Sequence, residues 1–377
     1  MDMSAASMIA QVESLPELIR SEFDELDARI RRLLNHNEYL SVKRIVLTGC
    51  GDSHMASVAT ELAFEQLAGV PTDALTAMQA GRYAAPYFEH MFARNPLVVG
   101  ISVSGTVART REALIMARKS GALTVALTGN PSSPLAGAAE KVLACVVPDF
   151  APAPGVRSYR VSLLALYLLA IRIAEVGGRL TQDQANALRQ KLKGTADSIE
   201  ATIAAIKNPV RKLAEASAAH HNFIFVADGP NYATALFSAA KLMEAAGRHA
   251  AGQDTEEWAH LQYFVNDDPA TPTFLISPGG RGHARAAELM EPLKRIGRTV
   301  VAVVPESDTA IAAGADWVLP VVGDVPEMFS PMVYALAGEL FAANLSEIIG
   351  EPPFRRFHGA YADGGNTIKT SAVVETL

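Results

Sequence analysis

The sequence predicts two tandem, doubly wound α/β domains, each a parallel sheet between helices, joined by a helical stretch. Short apolar runs recur without polar alternation: IVLTG at 45–49, LVVGISVSG at 97–105, ALTVALTG at 122–129 and KVLACVV at 141–147. Strands of that kind belong to a parallel sheet covered on both faces. The runs pass through glycine- and serine-rich turns into helical segments, as GCGDS leads into HMASVATELAFEQLA and SVSGT into ARTREALIMARKSG. Strands alternating with helices make parallel βαβ units. The same grammar restarts at FIFVADG (223–229), about 180 residues after its first appearance. It continues through a helix bearing Lys241 and Glu244, then TFLISPGG (273–280), HARAAELMEPLKRIG, TVVAVVP and DWVLPVV. A length of 377 residues exceeds one ordinary core, which agrees with two domains.

The elements follow in order. Residues 8–34 read as amphipathic helix, with Ser14, Pro16 and Glu17 supplying a cap and a first turn. The helix after the first strand begins near Ser53, where unpaired N–H groups point outward. From 155 to 206 the pattern is helical, packing through Leu163, Leu164, Leu166, Leu168, Leu169 and Ile173. A last helix runs from about residue 328 to 349, and from His358 the chain is glycine-rich and irregular, disordered unless tied down. The expected divisions are an N-terminal helix at 1–35, a first domain at 36–206, a second at 207–355 and a C-terminal tail at 356–377.

Composition excludes several classes of function. Hydrophobic residues make up 49% and charged residues 19%, so the chain packs rather than staying disordered. A net charge of −7 argues against nucleic acid and anionic membrane surfaces as partners. It leaves room for anionic small ligands held by backbone N–H groups. Cys50 and Cys145, with no CxxC, frame neither a disulfide scaffold nor a cysteine metal site. A reducing cytoplasm is the expected location. The opening MDMSAASMIAQVESLPELIR is not a signal peptide, and the apolar run at 163–173 is too short to span a bilayer.

Two places carry chemistry. Residues 241–260, KLMEAAGRHAAGQDTEEWAH, put Lys241 and Glu244 on one helical face and end in acids and His260. An ammonium, a carboxylate and an imidazole are the groups a proton-shuttling site needs, although Glu and Lys three apart are usually a solvated helix pair and a histidine is more often structural than catalytic. The turns Gly51-Asp52-Ser53 and Ser102-Val103-Ser104-Gly105-Thr106 each open a helix, and together they suit a phosphate. Serine and glycine are also ordinary turn and cap residues. GxGxxG is absent, which argues against a dinucleotide.

With GCGDS, ISVSGT, PGVRSYRVSLLALYLLA, FVADGPNYATALFSAAKLMEAAG and NTIKTSAVVE in that order, the chain resembles the tandem sugar isomerase (SIS) domain family. The likeness is to the isomerase half of the glutamine–fructose-6-phosphate amidotransferases and covers almost the whole chain. It implies two flavodoxin-like three-layer sandwiches. It also implies that Ser53, Ser102, Val103, Ser104 and Thr106 take the substrate phosphate, and that Gly51, Asp52 and Ser158 line the sugar. Glu244 matches the glutamate that moves a proton between C1 and C2, and Lys241 a lysine one helical turn before it. His260 matches the ring-opening histidine, which in the family comes from the neighbouring subunit, so a homodimer is implied. Lys369 matches a tail lysine that reaches the open-chain carbonyl. No metal or other cofactor is implied.

The chain departs from the family at Val103 and Val107, where glutamine and threonine are usual, and at Ala259, Leu261 and Gln262 around the histidine. These changes bear on substrate identity more than on chemistry. The expectation is also that no glutaminase domain or N-terminal nucleophilic cysteine is present, so ammonia is not made from glutamine. The first functional expectation is a phosphosugar isomerase or deaminase acting on an amino-sugar or ketohexose 6-phosphate. The alternatives are a fructosamine-6-phosphate deglycase, a non-catalytic sugar-phosphate sensor, and an isomerase subunit fed by a separate ammonia source.

Overall fold

A computed structural model describes residues 3–88 and 93–363. Contacts divide the chain into two compact lobes. The first comprises Leu18–Asp149 and Arg157–Lys193, and the second the N-terminal residues to Glu17, Phe150–Val156 and Gly194–Tyr361.

In the first lobe, α2 (Leu15–Leu33) and α3 (His36–Ser41) precede a five-stranded parallel sheet. Its strands are β1 (Ile45–Gly49), β2 (Thr72–Thr76), β3 (Arg94–Ile101), β4 (Ala122–Thr128) and β5 (Lys141–Ala144), in the order β2-β1-β3-β4-β5. Ile45 lies opposite Thr72 on one side and Leu97 on the other. The helices α4 (Asp52–Ala63), α5 (Ala108–Lys119), α6 (Pro134–Ala138) and α7 (Arg157–Val176) complete the layers. Val46, Val98, Ala126, Leu114 and Leu135 form part of the core on the α5 side. Arg189, 4% exposed, ties this lobe together by pairing Asp27 at 2.9 Å and Glu175 at 2.7 Å.

In the second lobe the strands are β6 (Asn222–Ala227), β7 (His249–Gln253), β8 (Pro272–Ile276), β9 (Thr299–Pro305) and β10 (Trp317–Val321). Their order, β10-β9-β8-β6-β7, repeats the first sheet strand for strand, and every pairing is again parallel. Around it lie α9 (Tyr232–Ala246), α10 (Thr255–His260), α11 (His283–Glu288), α12 (Met290–Arg295) and α13 (Pro331–Ile349). Helix α13 is long and apolar enough to cross a membrane, but its apolar window is 83% buried and it is a core helix, packed on α9. The helix α8 (Gln182–Ala216) contributes its residues to Lys193 to the first lobe and those from Gly194 to the second.

The two sheets confirm the tandem α/β expectation and refine it. Two of the four edge strands, β2 and β7, went unrecognised in the sequence. TDALT and HAAGQ carry too few β-branched residues and are only partly buried, so neither shows the apolar run of a central strand. The amphipathic stretch expected at 8–34 is two helices, α1 (Ala5–Glu13) and α2, with α1 packed on α13 in the second lobe. Pro16 has no N–H to continue the α1 ladder and suits the first turn of a new helix. HARAAELMEPLKRIG likewise divides into α11 and α12.

Candidate functional site

In a sheet of this order, ligands sit at the carboxyl ends of the strands beside the switch point between the first and third. In the first lobe those ends are the turn after β1, holding Gly51, Asp52 and Ser53, and the turn after β3, holding Ser102 to Thr106. The β3 turn is built by its own backbone. Ser102 N–H donates to Leu127 O at 3.0 Å, Gly105 N–H to Ser102 O at 3.0 Å, and Gly129 N–H to Val103 O at 3.0 Å. Gly105 has φ +66°, and a Cβ there would lie 2.0 Å from Ser133 Oγ, so the tight turn requires glycine. Thr106 N–H donates to Ser104 Oγ at 3.3 Å, and the two hydroxyls are 2.9 Å apart. Helix α5 begins at Ala108 with no side-chain cap from Val107, leaving its first N–H groups facing the turn.

One atom here stands out. Ser102 is 2% exposed, and its Oγ has no hydrogen-bond partner among the described residues. A buried hydroxyl left unpaired costs about 1–3 kcal/mol, so such groups are normally satisfied. Burial pushes the His54 imidazole, in the first turn of α4, below its usual 6.5. Arg109 is engaged with Glu112, which also binds Arg82 at 2.6 Å. The groups this turn could offer an anion are hydroxyls, backbone N–H groups and the α5 dipole. Gly51, at φ +55°, caps α4 with open space where a side chain would stand, Asp52 and Ser53 open that helix, and Ser158 lies in the first turn of α7.

In the second lobe α9 carries the other expected pair. Lys241 is fully buried, its Nζ 4.9 Å from the Phe237 ring centre, and it donates to Glu244 Oε2 at 2.5 Å. The Glu244 side chain is 28% exposed. A buried ammonium thus holds a carboxylate that still reaches solvent. This is not the solvated helix pair that i,i+3 spacing usually signals. His260 ends α10 with its side chain 74% exposed and Nε2 3.8 Å from Glu256. Lys369 lies outside the described residues.

The turn after β8 occupies the same place in the second sheet as the Ser102 turn in the first. Ser277 N–H donates to Val303 O at 3.0 Å, as Ser102 does to Leu127. Here the serine hydroxyl is already paired, 3.0 Å from His283 Nδ1, and His283 Nε2 is 3.3 Å from Asp308. The crevice around Ser277, Gly279, Gly282, Asp228 and Glu327 has a volume of about 10 Å³, room for no more than a water. Two carboxylates line it. The repeat is therefore equal in topology and unequal in chemistry: one crevice offers an unpaired hydroxyl, the other is closed by its own side chains. Sequence inspection missed this Ser277–His283–Asp308 chain and the Arg82–Glu112 pair, since neither has a recognisable spacing. The "SPGGRGH" string was the one available signal.

Comparison with known proteins agrees with the fold. Residues 38–172 match the SIS domain model. The glutamine–fructose-6-phosphate aminotransferase (isomerizing) of Gloeobacter violaceus is 27% identical over 343 residues, covering 90% of this chain and 55% of the relative. That of Thermococcus kodakarensis is 26% identical over 349 residues, covering 92% of this chain and 56% of the relative. The chain thus spans about half the length of the curated relatives it matches. The C-terminal domain of glucosamine-fructose-6-phosphate aminotransferase from Francisella tularensis has the same fold. Its TM-score is 0.77 at 19% identity, over 91% of this chain and 96% of that one. A glucosamine-6-phosphate deaminase from Thermotoga maritima superposes with TM-score 0.68 at 18% identity, over 92% and 97%.

Proposed function

We propose, for a chain that carries a SIS domain and is homologous to the isomerase domain of glutamine–fructose-6-phosphate aminotransferase, that it is an aminosugar-phosphate isomerase and deaminase. Its substrate is a 2-amino-hexose 6-phosphate of the glucosamine 6-phosphate type, and its product the corresponding 2-ketohexose phosphate and ammonia. The observation that carries this is the fully buried Lys241 holding the partly open Glu244 carboxylate. A structural pair gains little from burying one ammonium, whereas a proton-transfer carboxylate gains a fixed position and a defined charge.

In this scheme the phosphate sits at Ser53, Ser102, Ser104 and Thr106, with Val103 in the same turn. Gly51, Asp52 and Ser158 face the sugar. His260, contributed across a homodimer, protonates the ring oxygen as the ring opens. Lys369 polarises the open-chain carbonyl by donating a hydrogen bond to its oxygen and supplies the proton that turns it into the C1 hydroxyl. Glu244 removes the C2 proton and returns it to C1, which converts the C2 amine to an imine. Water adds to that imine, the C–N bond breaks, and ammonia leaves. Lys241 keeps Glu244 ionised between turnovers.

The test is turnover of glucosamine 6-phosphate with ammonia detection, for wild type and Glu244→Gln. The variant is expected to lose about 100- to 10,000-fold in kcat. Unchanged turnover would remove Glu244 from the mechanism. Release of an amino acid from a fructosamine 6-phosphate, without ammonia from glucosamine 6-phosphate, would reassign the enzyme as a deglycase. Binding without turnover of either would make it a sensor. An active species that sediments as a monomer would exclude the shared His260.

A further inference from the structure

We propose that Arg355 is a positioning residue for Glu244, acting on the backbone of the helix that carries it; the proposal rests on the role given to Glu244 above. Helix α9 ends two residues after Glu244, and Gly247 turns the chain at φ +64°. The last carbonyls of a helix have no intrahelical donors left. Arg355, 108 positions beyond Gly247, supplies donors to Glu244 O and Ala245 O and a second one to Met243 O, which already accepts from Gly247 N–H. Its Nη1 donates to Met243 O at 3.2 Å, and its Nη2 to Glu244 O at 3.0 Å and Ala245 O at 3.1 Å. Nη2 also reaches Pro352 O at 3.4 Å, which ties the guanidinium to its own segment. A delocalised cation spread over these carbonyls also opposes the negative end of the α9 dipole.

The surrounding residues look arranged for this contact. A Cβ on residue 247 would lie 2.4 Å from Arg355 Nη1, so glycine is needed for the guanidinium to enter as well as for the turn. Arg355 itself sits in a run of left-handed residues: Phe354, Arg355, Arg356 and Phe357 have φ of 49°, 52°, 51° and 51°. Consecutive non-glycine residues in that region are disfavoured and persist where other contacts over-determine them. Here the Phe354 and Phe357 rings stack at 5.4 Å and 13°, and the guanidinium is clamped by the helix end. The carboxylate of Glu244 is then fixed twice, through its side chain by Lys241 and through its own carbonyl by Arg355.

The experiment uses the full chain with Arg355→Ala, Arg355→Lys and, as control, Glu244→Gln. Amide hydrogen exchange across residues 241–247, read without substrate, is expected to quicken about tenfold or more in Arg355→Ala. In the ammonia assay, kcat is expected to fall about 10- to 100-fold with KM for glucosamine 6-phosphate changed by less than about twofold, as for a misplaced reacting group. Added guanidinium chloride at millimolar concentration restores part of the kcat of Arg355→Ala, and Arg355→Lys restores less, since one ammonium cannot bridge the same carbonyls. Unaltered exchange, or a kcat loss that guanidinium does not relieve, overturns the proposal. If Glu244→Gln turns over normally, the functional reading has failed instead, and the exchange result alone then decides whether Arg355 holds the helix end.

Discussion

Ser102→Ala separates a binding hydroxyl from a structural one because the two roles predict opposite signs. Ser102 is 2% exposed with an unpaired Oγ. Deleting an unsatisfied buried hydroxyl relieves its desolvation cost, so the ligand-free variant gains about 1 kcal/mol. In a lobe of this size that raises Tm by about 2–4 °C. The same hydroxyl facing a phosphate makes a charge-assisted hydrogen bond, worth about 1.5–3 kcal/mol and therefore about 10- to 150-fold in Kd. At a ligand concentration of about 100 times the wild-type Kd, wild type is stabilised by about 2.7 kcal/mol. The variant retains about 0.3–1.4 kcal/mol of that under the same conditions. Thermal shifts with and without glucosamine 6-phosphate, with calorimetric Kd values beside them, measure both terms. A variant that melts lower without ligand and binds the sugar phosphate as wild type does would refute the assignment of this turn to the anion.

Further expectations follow from the closed second crevice and from the buried ion pairs. Titration calorimetry should find one sugar phosphate per chain; two equal sites would mean that the Ser277 crevice opens. Arg189→Ala leaves Asp27 to Arg31, and Glu175 to Arg172 and Arg31, and should cost about 1–3 kcal/mol, read as a drop of about 2–12 °C in Tm. Burial raises the Glu175 carboxyl, but hydrogen bonds from Arg189 and Arg172 outweigh it and hold the group below its ordinary 4.5. With the folded value depressed, this stabilisation is complete above about pH 4.5 and fades as pH falls through the lower folded value. The acid limb of the stability profile should therefore be shallower in Arg189→Ala; an identical limb would dissociate Glu175 from it.

Much of the architecture can be read from local pattern. Eight of the ten strands announce themselves, the six central ones because both faces of a parallel sheet are covered, so their apolar runs need no knowledge of neighbours. The strands β2 and β7 do not, since both are only partly buried and carry mixed residues that suit a loop equally well. The candidate phosphate turn and the Lys241–Glu244 pair were also visible, as were the family motifs around them.

Spacing alone could not tell whether that pair was solvated. Lys241 is buried because α9 packs on α13, roughly ninety residues later in the chain, which is a property of packing rather than of the helix. The same holds for the contrast between Ser102 and Ser277. Both serines follow a parallel strand and precede a glycine in the turn. Only the fold brings His283 and Asp308 onto one hydroxyl and leaves the other buried without a partner. Local sequence sets backbone conformation through short-range sterics and hydrogen bonds. Which side chains meet, and which are left unsatisfied, depends on residues brought together across long separations, and that is decided by tertiary packing.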